Sequence, residues 1–164
     1  MINLRYSNDF DEDAISIAIQ GMKQGHYADA FHVLTSVKSE CAEIQYNLGL
    51  CYYYVKQYES AATCFEKALI LIRQMKPSAI LRSHNRTILR QLEIANKSYL
   101  NPIDANYLYH FSNTMKENAT LACIDAYRHA KRMDKVKILL SSLSGEEFSL
   151  IKSEQEEENN NGII

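Results

Sequence analysis

The sequence predicts an all-α protein: an α-α superhelix of about three to four antiparallel helix pairs, closed by a C-terminal capping helix. Three observations carry that expectation. Gly occurs five times and Pro twice in 164 residues, which leaves long stretches without the punctuation a many-turned β fold needs. Apolar residues recur at spacings of three and four, the period of one helix face. A block of residues also repeats itself at an interval of 31.

The clearest unit runs over 42–76. Leu48, Tyr52 and Val55 lie on one stripe of a first helix, and Ala61, Phe65, Ala68, Leu69 and Ile72 on one stripe of a second. Lys56-Gln57 between them suits a tight turn, and Gly49 lets the first helix approach its partner closely, with Ala61 as the expected recess. One repeat earlier, over 11–40, Tyr27, Ala30 and Leu34 align with Tyr58, Ala61 and Phe65, and Ala18 stands where Gly49 does. Gln24-Gly25-His26 there reads as a helix-ending glycine and a new start.

Beyond Pro77 the pattern is degenerate, and helical pairs are expected over 78–143. Leu81, Ile88, Leu92, Ala95 and Tyr99 predict one long helix, which Asn101-Pro102 ends while capping the next, with Ile103, Tyr107, Phe111 and Met115 on that helix. A last pair places Leu121, Ile124 and Tyr127 before a turn near Met133-Asp134, and Val136, Leu139, Leu140 and Leu143 after it. Tyr127 takes the Tyr52 position and Val136 that of Ala61. Ser144-Gly145-Glu146-Glu147 predicts a capping box for a terminal helix over 145–153, so that the helical domain spans 1–153. The Glu- and Asn-rich stretch 154–164 is expected to be disordered.

The block Leu48, Gly49, Tyr52, Tyr58, Ala61, Phe65 and Ala68 resembles the tetratricopeptide repeat, with the first aromatic displaced to Tyr46. The resemblance implies that the first helix of each pair lines a concave groove that holds a protein or peptide. Carried over residue by residue, the groove positions are Ile15, Ile19, Met22 and Lys23 in the first pair and Tyr46, Asn47, Leu50, Tyr53 and Tyr54 in the second. Five tyrosines fall between Tyr46 and Tyr58, a composition that gives large contact area with a polar end. Three occupants compete for such a groove: a partner segment, a second copy of the chain, or the chain's own Met1–Phe10 or terminal helix. In size and architecture the chain is also similar to translocator-class chaperones of bacterial type III secretion, which hold apolar client segments in such a groove.

Charge supplies a second candidate surface. Residues 146–164 carry six Glu and one Lys, so the rest of the chain is basic by +3 although the whole is −2. Between Glu66 and Glu93 there is no acid but Lys67, Arg73, Lys76, Arg82, Arg86 and Arg90. Arg82, Arg86 and Arg90 are expected on an exposed face turned away from Leu81, Ile88 and Leu92. A solvated face, an acidic segment such as the chain's own Glu154–Glu158, and nucleic acid are the competing readings, the last disfavoured by the net charge. Some members of the resembled family grip a C-terminal carboxylate. Asn47 matches that pattern, as do Arg82 and Arg86 if an insertion of four residues is allowed, but Ile15 and Ile19 break it.

The bulk composition is that of a soluble globular chain, with 46% hydrophobic and 23% charged residues. The acidic N-terminus carries no secretory pattern, and no apolar run is long enough to span a bilayer. Cys41, Cys51, Cys64 and Cys123 have neither CxxC nor zinc-finger spacing, which predicts reduced thiols in a cytoplasmic protein. His26, His32, His84, His110 and His129 are scattered, and no phosphate loop, HExxH or GxSxG occurs. The expectation is therefore a non-enzymatic adaptor or scaffold that binds protein, with no cofactor, no metal and no membrane partner, and with homodimerisation as an alternative.

Overall fold

The computed structural model describes residues 9–75, 86–141 and 143. Among these residues there are helices and turns but no strand. The helices are α1 (Asp9–Lys23), α2 (Tyr27–Ser36), α3 (Ala42–Tyr54), α4 (Tyr58–Arg73), α5 (Arg86–Ala95), α6 (Ala105–His110), α7 (Ser112–His129) and α8 (Met133–Leu140), with a 3-10 turn at Ser98–Leu100.

Three turns share one geometry, and this defines the repeat. Gly25, Lys56 and Lys131 all take positive φ (85, 64 and 60°), the left-handed conformation that ends a helix. In each turn the next amide reaches back across the helix end. His26 N–H donates to Gly21 O at 2.9 Å, Gln57 N–H to Tyr52 O at 2.9 Å, and Arg132 N–H to Tyr127 O at 2.8 Å. Those bonds satisfy carbonyls that the helix itself leaves open. A last turn near Met133-Asp134 is therefore corrected to Ala130–Arg132, with Met133 already the first residue of α8.

The turns reverse the chain so that α1 packs on α2, α3 on α4 and α7 on α8. At the centre, a Cβ built on Gly49 would lie 2.6 Å from the Phe65 ring, so the α3–α4 crossing needs glycine there. The group opposite Gly49 is the Phe65 ring, which is fully buried, as are Ala61 and Ala62 on the same helix. Leu34, Leu50, Phe65, Met115 and Ile124 continue one core through the stack.

α4 packs directly on α7. Hence α1–α2, α3–α4 and α7–α8 form the stack, while α5, the 3-10 turn and α6 are inserted between its second and third pairs. This departs from the sequence expectation in three ways. The long helix to Tyr99 stops at Ala95, because Lys97 turns left-handed (φ 51°) and starts the 3-10 turn. Asn101-Pro102 is not a helix start: Asn101 is extended, and Asp104 caps α6 by accepting the Tyr107 amide at 2.7 Å. The helix from Ile103 to Met115 is broken at Phe111, whose φ of −125° lies outside the helical range, so Met115 belongs to α7 with Leu121 and Tyr127. Leu81, the terminal helix over 145–153 and the stretch 154–164 lie outside the described residues.

Candidate functional site

The first helices α1 and α3 supply the positions expected to face the groove. Most of these side chains are not open to solvent. Ile15, Ile19, Met22, Tyr46, Asn47 and Leu50 are all buried, with Tyr46, Asn47 and Leu50 at 0% exposure. The expectation of an accessible groove over these six residues is therefore corrected. The physical reason on α3 is a segment of the chain itself: the 3-10 turn and the extended residues after it lie against that face.

Its attachment is specific. The Asn47 side-chain amide donates to Ile103 O at 2.7 Å, and its oxygen accepts the Ile103 N–H at 3.0 Å, so one side chain holds both polar groups of one residue. The Tyr46 hydroxyl donates to Tyr99 O. Tyr99, Leu100 and Ile103 are buried. On α7, Asp125 accepts from Tyr99 at 3.4 Å and from Tyr53 at 2.8 Å. Burial first and the Asp125 carboxylate second push the Tyr53 hydroxyl well above its ordinary pKa, so it is a donor at neutral pH. Among the described residues the occupant of this face of α3 is 98–103; the terminal helix and residues 1–8 of the Met1–Phe10 segment lie outside them.

The basic face is corrected as well. Arg90 is buried, donates to Glu93 Oε2 at 3.0 Å and Asn118 Oδ1 at 2.7 Å, and has its Nε 3.4 Å from Glu117. Instead, Leu89 and Leu92 are exposed, at 58 and 55%. α5 is rotated relative to the wheel drawn from the sequence because Arg90 finds two carboxylates on either side of its guanidinium, and Ile94 takes the core position. Arg82 lies outside the described residues, and Arg86 is described only as the first residue of α5.

Three predicted groove residues remain accessible: Lys23, which is exposed at the end of α1, Tyr53 in part and Tyr54 at 44%, of which the two tyrosines form part of a second surface. Tyr53 and Tyr54 belong to a row of rings along the rim formed by the three turns. Tyr27 stacks on Tyr54 at 4.1 Å, Tyr54 meets Tyr53 edge-on at 5.7 Å, and Tyr53 meets both Tyr58 at 5.4 Å and His129 at 5.9 Å. Tyr58 and His129 stack at 4.6 Å. His129 Nε2 lies 3.8 Å from Asp125 Oδ1, which ties the far end of the row to the groove floor. Burial and then Tyr54 push the Tyr27 hydroxyl up to about 12. Lys56 and Lys131 stand exposed at the turn apices beside the row.

Sequence reasoning missed Tyr27, Tyr58, Tyr99, Asp125 and His129 as parts of this surface. Aligning the third turn on the second would have found two of them, because Asp125 then takes the position of Leu50 and His129 that of Tyr54.

All four cysteines are free thiols. Burial pushes the Cys41 and Cys51 thiols up to about 12, so they are protonated near neutrality. Among the described residues no three His, Cys, Asp or Glu side chains converge as a metal site. None of the helices there is long and apolar enough to cross a membrane.

The tetratricopeptide repeat family matches residues 42–74, which cover α3, its turn and α4. No curated protein and no solved structure matches the chain.

Proposed function

We propose that this tetratricopeptide repeat chain is a non-catalytic protein-interaction module, an adaptor or scaffold, that binds its partner along the ring-lined rim of its three turns. The observation that carries the reading is the continuous row Tyr27, Tyr54, Tyr53, Tyr58 and His129, which crosses all three helix pairs where the groove floor is already filled. Rings held by their neighbours lose little side-chain freedom on binding, and tyrosine and histidine present both an apolar face and a polar edge. Lys56 and Lys131 beside the row favour a partner segment that carries acidic residues next to its apolar ones. Four unpaired cysteines support a cytoplasmic setting.

The experiment is a binding comparison with a purified partner. A partner first captured on the wild-type chain should bind Tyr54→Ala/His129→Ala at least about tenfold more weakly, as truncation of central aromatic contacts does. The variant Ile70→Ser, on an exposed position of α4 away from the row, should bind as the wild type does. Equal affinity of the double variant and the wild type would remove the rim from the interface.

A further inference from the structure

We propose that the outer face of the first helix pair, α1 and α2, docks an amphipathic helix of a protein partner. That helix seats one large apolar side chain in a gap at Gly21 and sets basic residues against Asp13 and Asp29. The site lies at the end of the stack, a different surface from the ring-lined rim, and does not rest on the rim reading.

The repeat itself shows what such a face takes. Gly21, Tyr52 and Tyr127 occupy equivalent positions, because the carbonyl of each accepts the amide that follows its turn. One helical turn earlier stand Ile17, Leu48 and Cys123, and one turn before those Asp13, Ile44 and Ala119. In the second and third pairs a preceding helix covers this stripe. α2 lies on α3, where the Phe31 ring meets Tyr52 edge-on at 5.1 Å. α4 lies on α7, where Ala62, the counterpart of Phe31, has its carbonyl oxygen 3.8 Å from Cys123 Sγ. Ile44, Ala119 and Cys123 are accordingly buried, and Leu48 is half-buried. In the first pair, among the described residues, the same stripe leaves Asp13 exposed and Ile17 exposed at 64%. One joint is thus made twice within the chain, and its continuation defines what fits at the end: a helix laid on α1 as α2 is laid on α3.

Gly21 decides the size of what enters. Where the other pairs carry tyrosine, it leaves a mostly apolar pocket of about 260 Å³ lined by Ile17, Ala30 and Val33 and by the polar His26 and Asp29. That is below the roughly 300–1,000 Å³ of small-molecule sites and suits one aromatic or leucine side chain. A pocket filled by such an anchor is the energetic centre of a helix-in-groove interface. The charge of the partner follows from Asp13 on α1 and Asp29 on α2, both exposed. A helix with lysine or arginine one turn to either side of its anchor complements them, and an acidic helix is repelled.

The test uses the full chain and a labelled, stapled peptide of the α2 sequence, Tyr27–Lys38. The peptide carries Ala28→Lys and Thr35→Lys, which place a base about one turn to either side of its Phe31. The wild type should bind this peptide, and should bind its Phe31→Ala form at least about tenfold more weakly. Gly21→Tyr fills the gap with the residue of the other two pairs, and outside its own helix a Cβ there meets nothing closer than 3.8 Å. That variant should therefore fold and lose at least about tenfold in peptide affinity. Ile17→Lys, at an exposed position, should fold as well and lose as much. Asp13→Asn/Asp29→Asn should cost about threefold at low salt. A wild type that ignores the peptide would overturn the proposal, and so would unchanged affinity in folded Gly21→Tyr or Ile17→Lys. A wild-type dimer that Gly21→Tyr converts to monomer would make a second copy the occupant and overturn the partner reading. Tyr54→Ala/His129→Ala should bind the peptide as the wild type does, so the rim reading and this one fail separately.

Discussion

Asn47→Ala isolates the contact on which the architecture of the groove depends. Asn47 is fully buried, and its amide makes the bonds of 2.7 and 3.0 Å to Ile103 O and N–H. Alanine removes both partners at once and leaves a donor and an acceptor of a buried residue without them. A net hydrogen bond contributes about 1 kcal/mol, and a buried group left unsatisfied costs about 1–3 kcal/mol, so the expected loss is about 2–4 kcal/mol. That loss has a ceiling. Once it exceeds the free energy holding 98–103 in place, the segment leaves and water satisfies both groups. Urea unfolding followed by circular dichroism measures the global part, and hydrogen exchange at Ile103 measures the local part, where 2–4 kcal/mol corresponds to roughly thirty- to a thousandfold faster exchange. Asn47→Asp should cost at least as much as Asn47→Ala, since it keeps an acceptor for the Ile103 amide but sets a buried carboxylate oxygen against Ile103 O. A change below about 0.5 kcal/mol by both methods, the size of an ordinary surface substitution, would refute the contact.

Other perturbations follow from the same geometry. Gly49→Ala should destabilise by about 1–3 kcal/mol in the same urea assay, because the added carbon would lie 2.6 Å from a ring with no exposed side to move into. An unchanged midpoint would show that α3 and α4 are further apart than described. Lys56→Gly and Lys131→Gly should each stabilise by about 0.5–1 kcal/mol, because glycine takes the left-handed conformation at 64 and 60° without a Cβ clash. Destabilisation by either would mean that the lysine stem contributes packing beyond the strain it carries. Cys41 and Cys51 set a pH dependence: their folded values of about 12 lie above the ordinary 9.0 of a free thiol. Above about pH 9 the unfolded chain therefore binds fewer protons than the folded one, and stability falls with rising pH while remaining flat between about pH 7 and 8. Thermal melts of the Cys41→Ser/Cys51→Ser variant should lose part of that alkaline slope.

Much of the fold can be read in the sequence, and for physical reasons. Gly49 and Phe65 mark a close crossing that other residue pairs do not allow, and Lys56-Gln57 and Gln24-Gly25-His26 mark turns at which the helical stripes change phase. The third pair is legible through Tyr127 and Val136, both buried, which stand at the same distances from Lys131 as Tyr52 and Ala61 do from Lys56.

The occupant of the groove was not legible. A tyrosine and an asparagine on an inward helix face look the same in sequence whether they await a partner or hold their own chain, and only the fold brings Tyr99 and Ile103 to Tyr46 and Asn47. The insert defeated periodicity for a related reason. α5 is short and meets the rest of the described structure mainly at the 3-10 turn, so Arg90, bonded to Glu93 and Asn118 and facing Glu117, sets its rotation in place of the leucines. Asp104 outcompeted Asn101 as the cap because its carboxylate reaches the Tyr107 amide while Pro102 keeps the preceding backbone extended.

The central claim is that residues 98–103 fill the groove of the helical stack. Side-chain amide resonances of Asn47 in a NOESY spectrum of the labelled full chain test it most directly. The account predicts cross-peaks from the Asn47 amide protons to Ile103 and from the Tyr46 ring to Tyr99 and Leu100, with the Asn47 amide slow to exchange with water. A freely exchanging Asn47 amide with cross-peaks only inside α3 would contradict it.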